Sequence, residues 1–81
     1  MVGLKAEGDL DAVVAALSAM SEVDYVVVTA GSFDLLVEVV CEDDDHLLEL
    51  LRRIRLITGV RGTETFVYLK LAKQTYQWGT R

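Results

Sequence analysis

Hydrophobic and polar positions divide this chain into six segments of alternating period. Val2, Leu4 and Ala6 alternate with Gly3, Lys5 and Glu7, and a period of two predicts a short first strand with one polar side. From Asp9 onward Leu10, Val13, Val14, Leu17 and Met20 recur at three- and four-residue spacing, with Ala12, Ala15, Ala16 and Ala19 as strong helix formers between them. The spacing predicts a helix over about 9–20, with Asp9 as its cap and Asp11 suited to the positive end of the helix dipole. Val23 to Ala30 is rich in β-branched residues and reads as a strand; Gly31-Ser32 supplies a turn, and Asp34 to Cys41 returns as a second strand of a hairpin.

Glu42 and Asp43 to Asp45 precede Leu47, Leu48, Leu51, Ile54 and Ile57, while Arg52, Arg53 and Arg55 lie toward the far end. Acid first and base last matches a helix dipole, and Gly59 stands where a left-handed cap residue belongs, so a second helix is expected over about 44–57. A last strand is expected from Thr63 to Ala72, with Thr63, Thr65, Val67, Leu69 and Leu71 on one side and Glu64, Phe66, Tyr68 and Lys70 on the other. The order β-α-β-β-α-β in about 70 residues predicts an α+β, ferredoxin-like fold: a four-stranded antiparallel sheet with two helices on one face.

That fold leaves one sheet face uncovered. In a solitary domain the bare face should be polar at every second position, yet Val26 and Val28 alternate with Tyr25 and Val27, and Leu35, Val37 and Val39 with Leu36 and Val40. Both alternations are apolar, which predicts a two-fold dimer with a sheet-on-sheet core.

Composition narrows the function. With 81 residues the chain is one domain that buries about 60–65% of its unfolded surface, so self-association fits its size. Its formal charge of −5 repels a phosphate backbone, which argues against direct nucleic-acid binding. No apolar run approaches the ~20 residues of a membrane span, and the first residues lack a basic segment followed by an apolar one, so the cytoplasm is the expected compartment. One cysteine and one histidine make neither an internal disulfide nor a zinc site.

Few side chains suggest chemistry. The Asp43-Asp44-Asp45 run reads as a dipole-matched helix start rather than a metal site, His46 as a surface helix residue, and Cys41, at the end of an apolar strand, as a structural thiol. No catalytic triad or glycine-rich phosphate loop can be assembled, so an enzyme is not expected, and no cofactor is implied. Two stretches stand out. Thr29-Ala30-Gly31-Ser32-Phe33-Asp34 gathers backbone N–H groups, a ring and a carboxylate at a strand end, though it also fits an ordinary turn. Gly59 to Thr65 follows a helix stop with two hydroxyls on one side of a strand.

These two stretches carry a resemblance. Val26-Val27-Val28-Thr29-Ala30-Gly31-Ser32-Phe33-Asp34-Leu35-Leu36-Val37-Glu38-Val39, and Ile57-Thr58-Gly59-Val60 followed by Thr63-Glu64-Thr65, resemble the corresponding segments of the effector-binding (RAM) domain of the leucine-responsive regulatory protein/AsnC transcription regulators. The resemblance covers essentially the whole chain. It implies a ferredoxin-like domain at 1–72 that pairs through its sheets into dimers and then tetramers or octamers, and that takes a free amino acid or related small effector in clefts between dimers. Gly31, Phe33 and Asp34 would line the cleft, with backbone N–H groups near Gly31 for an α-carboxylate and Asp34 for an α-ammonium or for the loop's own backbone, while Thr63 and Thr65 would add hydroxyls.

Two departures accompany it. Full regulators carry an N-terminal helix-turn-helix domain, whereas this chain begins inside the first strand, so it is expected to be a stand-alone module acting through partner regulators of the family or, equally, the excised half of such a regulator; and Leu56-Ile57-Thr58 replaces a segment that often holds proline. The tail 73–81 is expected to pack at a subunit boundary through Tyr76 and Trp78. Two other readings share this topology: a small dimeric α/β-barrel enzyme of the monooxygenase or isomerase kind, with Glu38, Glu64 and Lys70 as its candidate polar groups, and an ACT-type regulatory domain.

Overall fold

The computed structural model describes residues 1–74. Six elements follow one another: β1 (Val2–Ala6), α1 (Leu10–Ser18), β2 (Val23–Val28), β3 (Leu35–Val39), α2 (Asp44–Arg55) and β4 (Val60–Thr65). All pairings are antiparallel, in the spatial order β2-β3-β1-β4, which is the expected ferredoxin-like arrangement.

The helix starts follow from their caps. The Asp9 carboxylate accepts the Ala12 N–H at 3.1 Å and the Asp43 carboxylate accepts the His46 N–H at 2.8 Å, each satisfying a donor that the helix itself leaves open. Gly59 ends the second crossover at φ +102°; a Cβ there would stand 2.8 Å from the Glu7 carbonyl oxygen, which accepts no such neighbour, so this position needs glycine twice over. The Gly59 carbonyl in turn accepts the Glu7 N–H at 2.9 Å, joining the end of β1 to the start of β4.

Register sorts the side chains. Val2 lies opposite both Val37 and Thr65, Leu4 opposite Leu35 and Thr63, and Val26 opposite Val37, so these share the face under the helices. There Val2, Leu4, Leu35 and Val37 meet Val13 and Leu17 of α1 and Leu50, Leu51 and Ile54 of α2, and these nine residues make the core. The other face carries Gly3, Lys5, Tyr25, Val27, Leu36, Glu38 and Glu64. Tyr25 and Val27 are 44% and 42% exposed there. Among the described residues the second apolar alternation is therefore open.

The last strand departs from expectation at both ends. It begins at Val60 rather than Thr63, because Ala6 and Lys5 of β1 extend far enough to pair with Val60 and Gly62 across an irregular step. It stops at Thr65 rather than Ala72. Phe66 still exchanges hydrogen bonds with Met1 at 2.7 and 3.1 Å, and beyond that pair the segment forms no further backbone rung of the sheet among the described residues. Residues 66–74 accordingly form no regular element, and Leu69 is 94% exposed. Tyr76 and Trp78 of the expected boundary tail lie outside the described residues. Among the described residues no helix is long and apolar enough to cross a membrane.

Candidate functional site

The loop between β2 and β3 is closed from within. The Thr29 N–H donates to the Asp34 carbonyl at 3.0 Å, and the Thr29 hydroxyl donates to the Phe33 carbonyl at 2.6 Å. Asp34 then ties the loop to β1: its N–H donates to the Leu4 carbonyl at 2.9 Å, and its carboxylate Oδ2 accepts the Ala6 N–H at 2.8 Å. The carboxylate thus adds one more rung where the strand ladder, ending at the Leu4–Leu35 pair, has run out. Of the two roles open to Asp34, the backbone one is occupied by Oδ2, and Oδ1 has no hydrogen bond among the described residues.

Phe33 leaves the loop for the open sheet face. A Cβ on Gly3 would stand 2.8 Å from three atoms of its ring, so the ring lies directly on the glycine backbone. The Phe66 ring meets it edge-on, with centroids 6.1 Å apart and planes at 81°, a favourable arrangement for two quadrupoles. Farther along the same face Glu38 stands opposite Tyr25 and receives the Tyr68 hydroxyl at 3.4 Å. Partial burial first, and the Glu38 charge second, push both phenols above their ordinary value.

Thr63 and Thr65 project from the opposite side, toward the helices. Thr63 receives Arg55 Nε at 3.4 Å and lines a cleft of about 380 Å³ with Arg55, Val60, Arg61 and Gly62. Thr65 lines a separate cleft of about 350 Å³ between the start of α2 and the segment after β4, with Cys41, Asp43, Leu47 and Phe66 among its walls. One chain therefore brings Gly31, Phe33 and Asp34 together in one loop, and Thr63 and Thr65 on one strand face. It does not bring the two sets into one pocket.

Sequence reasoning missed one ionic cluster. Glu22, before β2, accepts from Arg53 at 2.5 Å and pairs with His46 Nε2 at 2.9 Å, while His46 Nδ1 accepts the Glu42 N–H at 3.0 Å. His46 is thus no free surface residue. Glu22 is only 11% exposed, and the Arg53 guanidinium, then His46, hold its carboxyl near pKa 2 instead of its ordinary 4.5. The partners are 24 and 31 positions away in the chain, so no local spacing could have signalled them. Burial, chiefly, pushes the half-buried Cys41 thiol up, away from the thiolate a nucleophile needs. Among the described residues no three His, Cys, Asp or Glu side chains gather as a metal site.

The loop, the threonine hydroxyls and the Arg55 guanidinium are the polar groups presented here. The structure of Escherichia coli AsnC superposes with a TM-score of 0.85 at 24% identity, over 94% of this chain and 53% of that one. A crystal structure of a glutamate-to-alanine mutant protein follows with a TM-score of 0.68 at 23% identity, over 91% of this chain and 53% of its own. The chain thus spans about half the length of either protein, and likenesses at this identity establish the fold. None of the curated proteins compared with the chain matches it significantly. The family itself is settled by the match of residues 1–78 to the model of the Lrp/AsnC ligand-binding domain: this chain belongs to that family of regulatory domains.

Proposed function

We propose that the chain is an effector-binding and oligomerisation module that takes a free amino acid or a related small molecule and acts on transcription in the cytoplasm. The observation that carries this reading is the family match over residues 1–78. The Gly31-Phe33-Asp34 loop supports it, being held in place before any ligand arrives, so that little ordering cost falls on binding. Asp34 Oδ1 is the acceptor offered to an ammonium group. Because Phe33 and the two threonines occupy opposite sheet faces, the full set Gly31, Phe33, Asp34, Thr63 and Thr65 meets one ligand only where copies of the chain come together.

Dimerisation through the open face is part of the proposal. It would bury Tyr25, Val27, Leu36 and the Phe33–Phe66 pair against their equivalents, forming a sheet-on-sheet core. An effector that prefers one arrangement of dimers then shifts the assembly toward tetramers or octamers, and reaches DNA through a reader domain attached to it or co-assembled from full-length regulators.

A thermal-shift screen against the twenty amino acids, followed by native mass spectrometry, tests this. Stabilisation by one or a few amino acids with a change in oligomer distribution is expected, and Asp34→Ala should weaken the response. Unchanged affinity in Asp34→Ala removes the loop from the site. One observation favours a second reading, a small enzyme: Glu38 stands between two phenols on the face a dimer would enclose. Turnover of a small molecule, with no amino acid stabilising the chain, would select it.

A further inference from the structure

Charge is distributed unevenly over this acidic chain. Four of its eight cationic side chains, Arg52, Arg53, Arg55 and Arg61, fall within ten positions at the end of α2 and the start of β4. Three of them are neutralised by a carboxylate. Arg52 donates to Glu49 through Nε at 3.0 Å and through a terminal nitrogen at 2.6 Å, Arg53 is held by Glu22, and Arg61 pairs with Glu7. Arg55 is the exception: among the described residues its only hydrogen bond is the long one to the Thr63 hydroxyl, and no carboxylate meets it.

Its surroundings form a concavity. Arg55, Val60, Arg61, Gly62 and Thr63 line the cleft of about 380 Å³, large enough for the polar end of a small molecule. One wall is β4, which among the described residues pairs with β1 alone and turns its outer backbone groups to no other strand. Arg52, Arg53 and Arg55 all lie in the last turn of α2, and Arg55 is the one of them that no carboxylate holds among the described residues. A guanidinium turned toward a hydroxyl on the neighbouring strand presents two kinds of donor to one point.

We propose that the Arg55–Thr63 cleft is an anion subsite that holds a carboxylate or phosphate group of the effector, with Arg55 supplying charge-assisted hydrogen bonds and the Thr63 hydroxyl a further one. The proposal rests on the reading of Thr63 as an effector contact. It shifts recognition of the ligand's negative end from the loop backbone near Gly31 to a side chain that sequence comparison did not single out. A guanidinium suits a planar carboxylate or a phosphate through paired N–H groups, so a lysine in its place should serve less well.

The test is a nitrogen-15 NMR titration of the intact chain with acetate and, separately, with inorganic phosphate, following Arg55 Nε–H and the Gly62 and Thr63 amides. Saturable shifts confined to these groups are expected, with response to acetate identifying a carboxylate site and response to phosphate alone a phosphate site. Arg55→Gln should weaken binding by at least about tenfold, and Arg55→Lys by less. Arg52→Gln is the control, removing the same charge from the same helix end without touching the cleft, and should leave the affinity unchanged. Equal weakening by Arg52→Gln and Arg55→Gln, or no saturable shift with either anion, overturns the subsite. The amino-acid screen separates the two proposals. An amino acid that stabilises the native chain and Arg55→Gln alike upholds effector binding and removes the subsite, whereas Arg55-dependent anion binding with no amino-acid response upholds the subsite and removes the amino-acid reading.

Discussion

The two faces of one sheet differ in how they are completed. Under the helices, Val2, Leu4, Leu35 and Val37 are sealed by Val13, Leu17, Leu50, Leu51 and Ile54, all from the same chain. On the other face Tyr25, Val27 and Phe66 each keep over 40% of their surface in contact with water, and Phe66 meets edge-on the Phe33 ring that lies over Gly3. Both faces carry valine and leucine, though the open one also holds Lys5, Glu38 and Glu64. What differs is that the described residues supply a cover for one face and none for the other, so the first face bears on whether the chain folds and the second on what it joins.

Substitutions should separate these roles. Leu50→Ala, at a fully buried position, should lower unfolding stability by about 2–5 kcal/mol in urea titration, a large share of the roughly 4–12 kcal/mol available to a chain of this size. Gly59→Ala should cost about 1–3 kcal/mol by the same measurement, since its φ of +102° and the Glu7 carbonyl both oppose a side chain. Val27→Lys, on the open face, should change the stability of the isolated fold by only about 0.5 kcal/mol. Its effect should appear instead in sedimentation, as a shift toward the 9.0 kDa monomer. A Val27→Lys protein that sediments like the unaltered chain would dissolve the contrast between the faces.

The smallest effect concerns acid. Glu22 has a folded-state pKa of about 2 against an ordinary 4.5, so its ion pairs contribute fully above about pH 4.5, and their contribution declines as pH falls toward 2. Glu22→Gln should be less stable at neutral pH, and its melting temperature should fall less between pH 5 and pH 2.5 than that of the unaltered chain. Equal slopes for the two proteins would place the acid sensitivity elsewhere.

Local chemistry made much of this readable. Asp9 and Asp43 cap the helices they precede, and Gly59 adopts the positive φ expected of the residue after a helix. The loop from Thr29 to Asp34 was visible as a turn carrying a ring and a carboxylate, but its sequence does not say that Phe33 and Thr63 face opposite ways; that depends on register across β3, β1 and β4. Local sequence marks His46 only as a surface helix residue because its partner Glu22 is 24 positions away. Arg55 was read only as a charge at a helix end. Its distinction, the lack of a carboxylate partner among the described residues, exists only after Glu49, Glu22 and Glu7 have been brought to Arg52, Arg53 and Arg61.

The expected strand over 63–72 marks where pattern alone misleads. Alternation persists through Val67, Leu69 and Leu71, yet a strand needs a partner as well as a pattern, and among the described residues the last backbone pairing is that of Phe66 with Met1. Period, capping and turn chemistry are properties of neighbouring residues, and they determined the six elements, their order and the presence of a second apolar sheet face. Which residues oppose one another, where a strand runs out of partners and which arginine is left without a carboxylate are decided by contacts between distant positions, and only the folded chain brings those positions together.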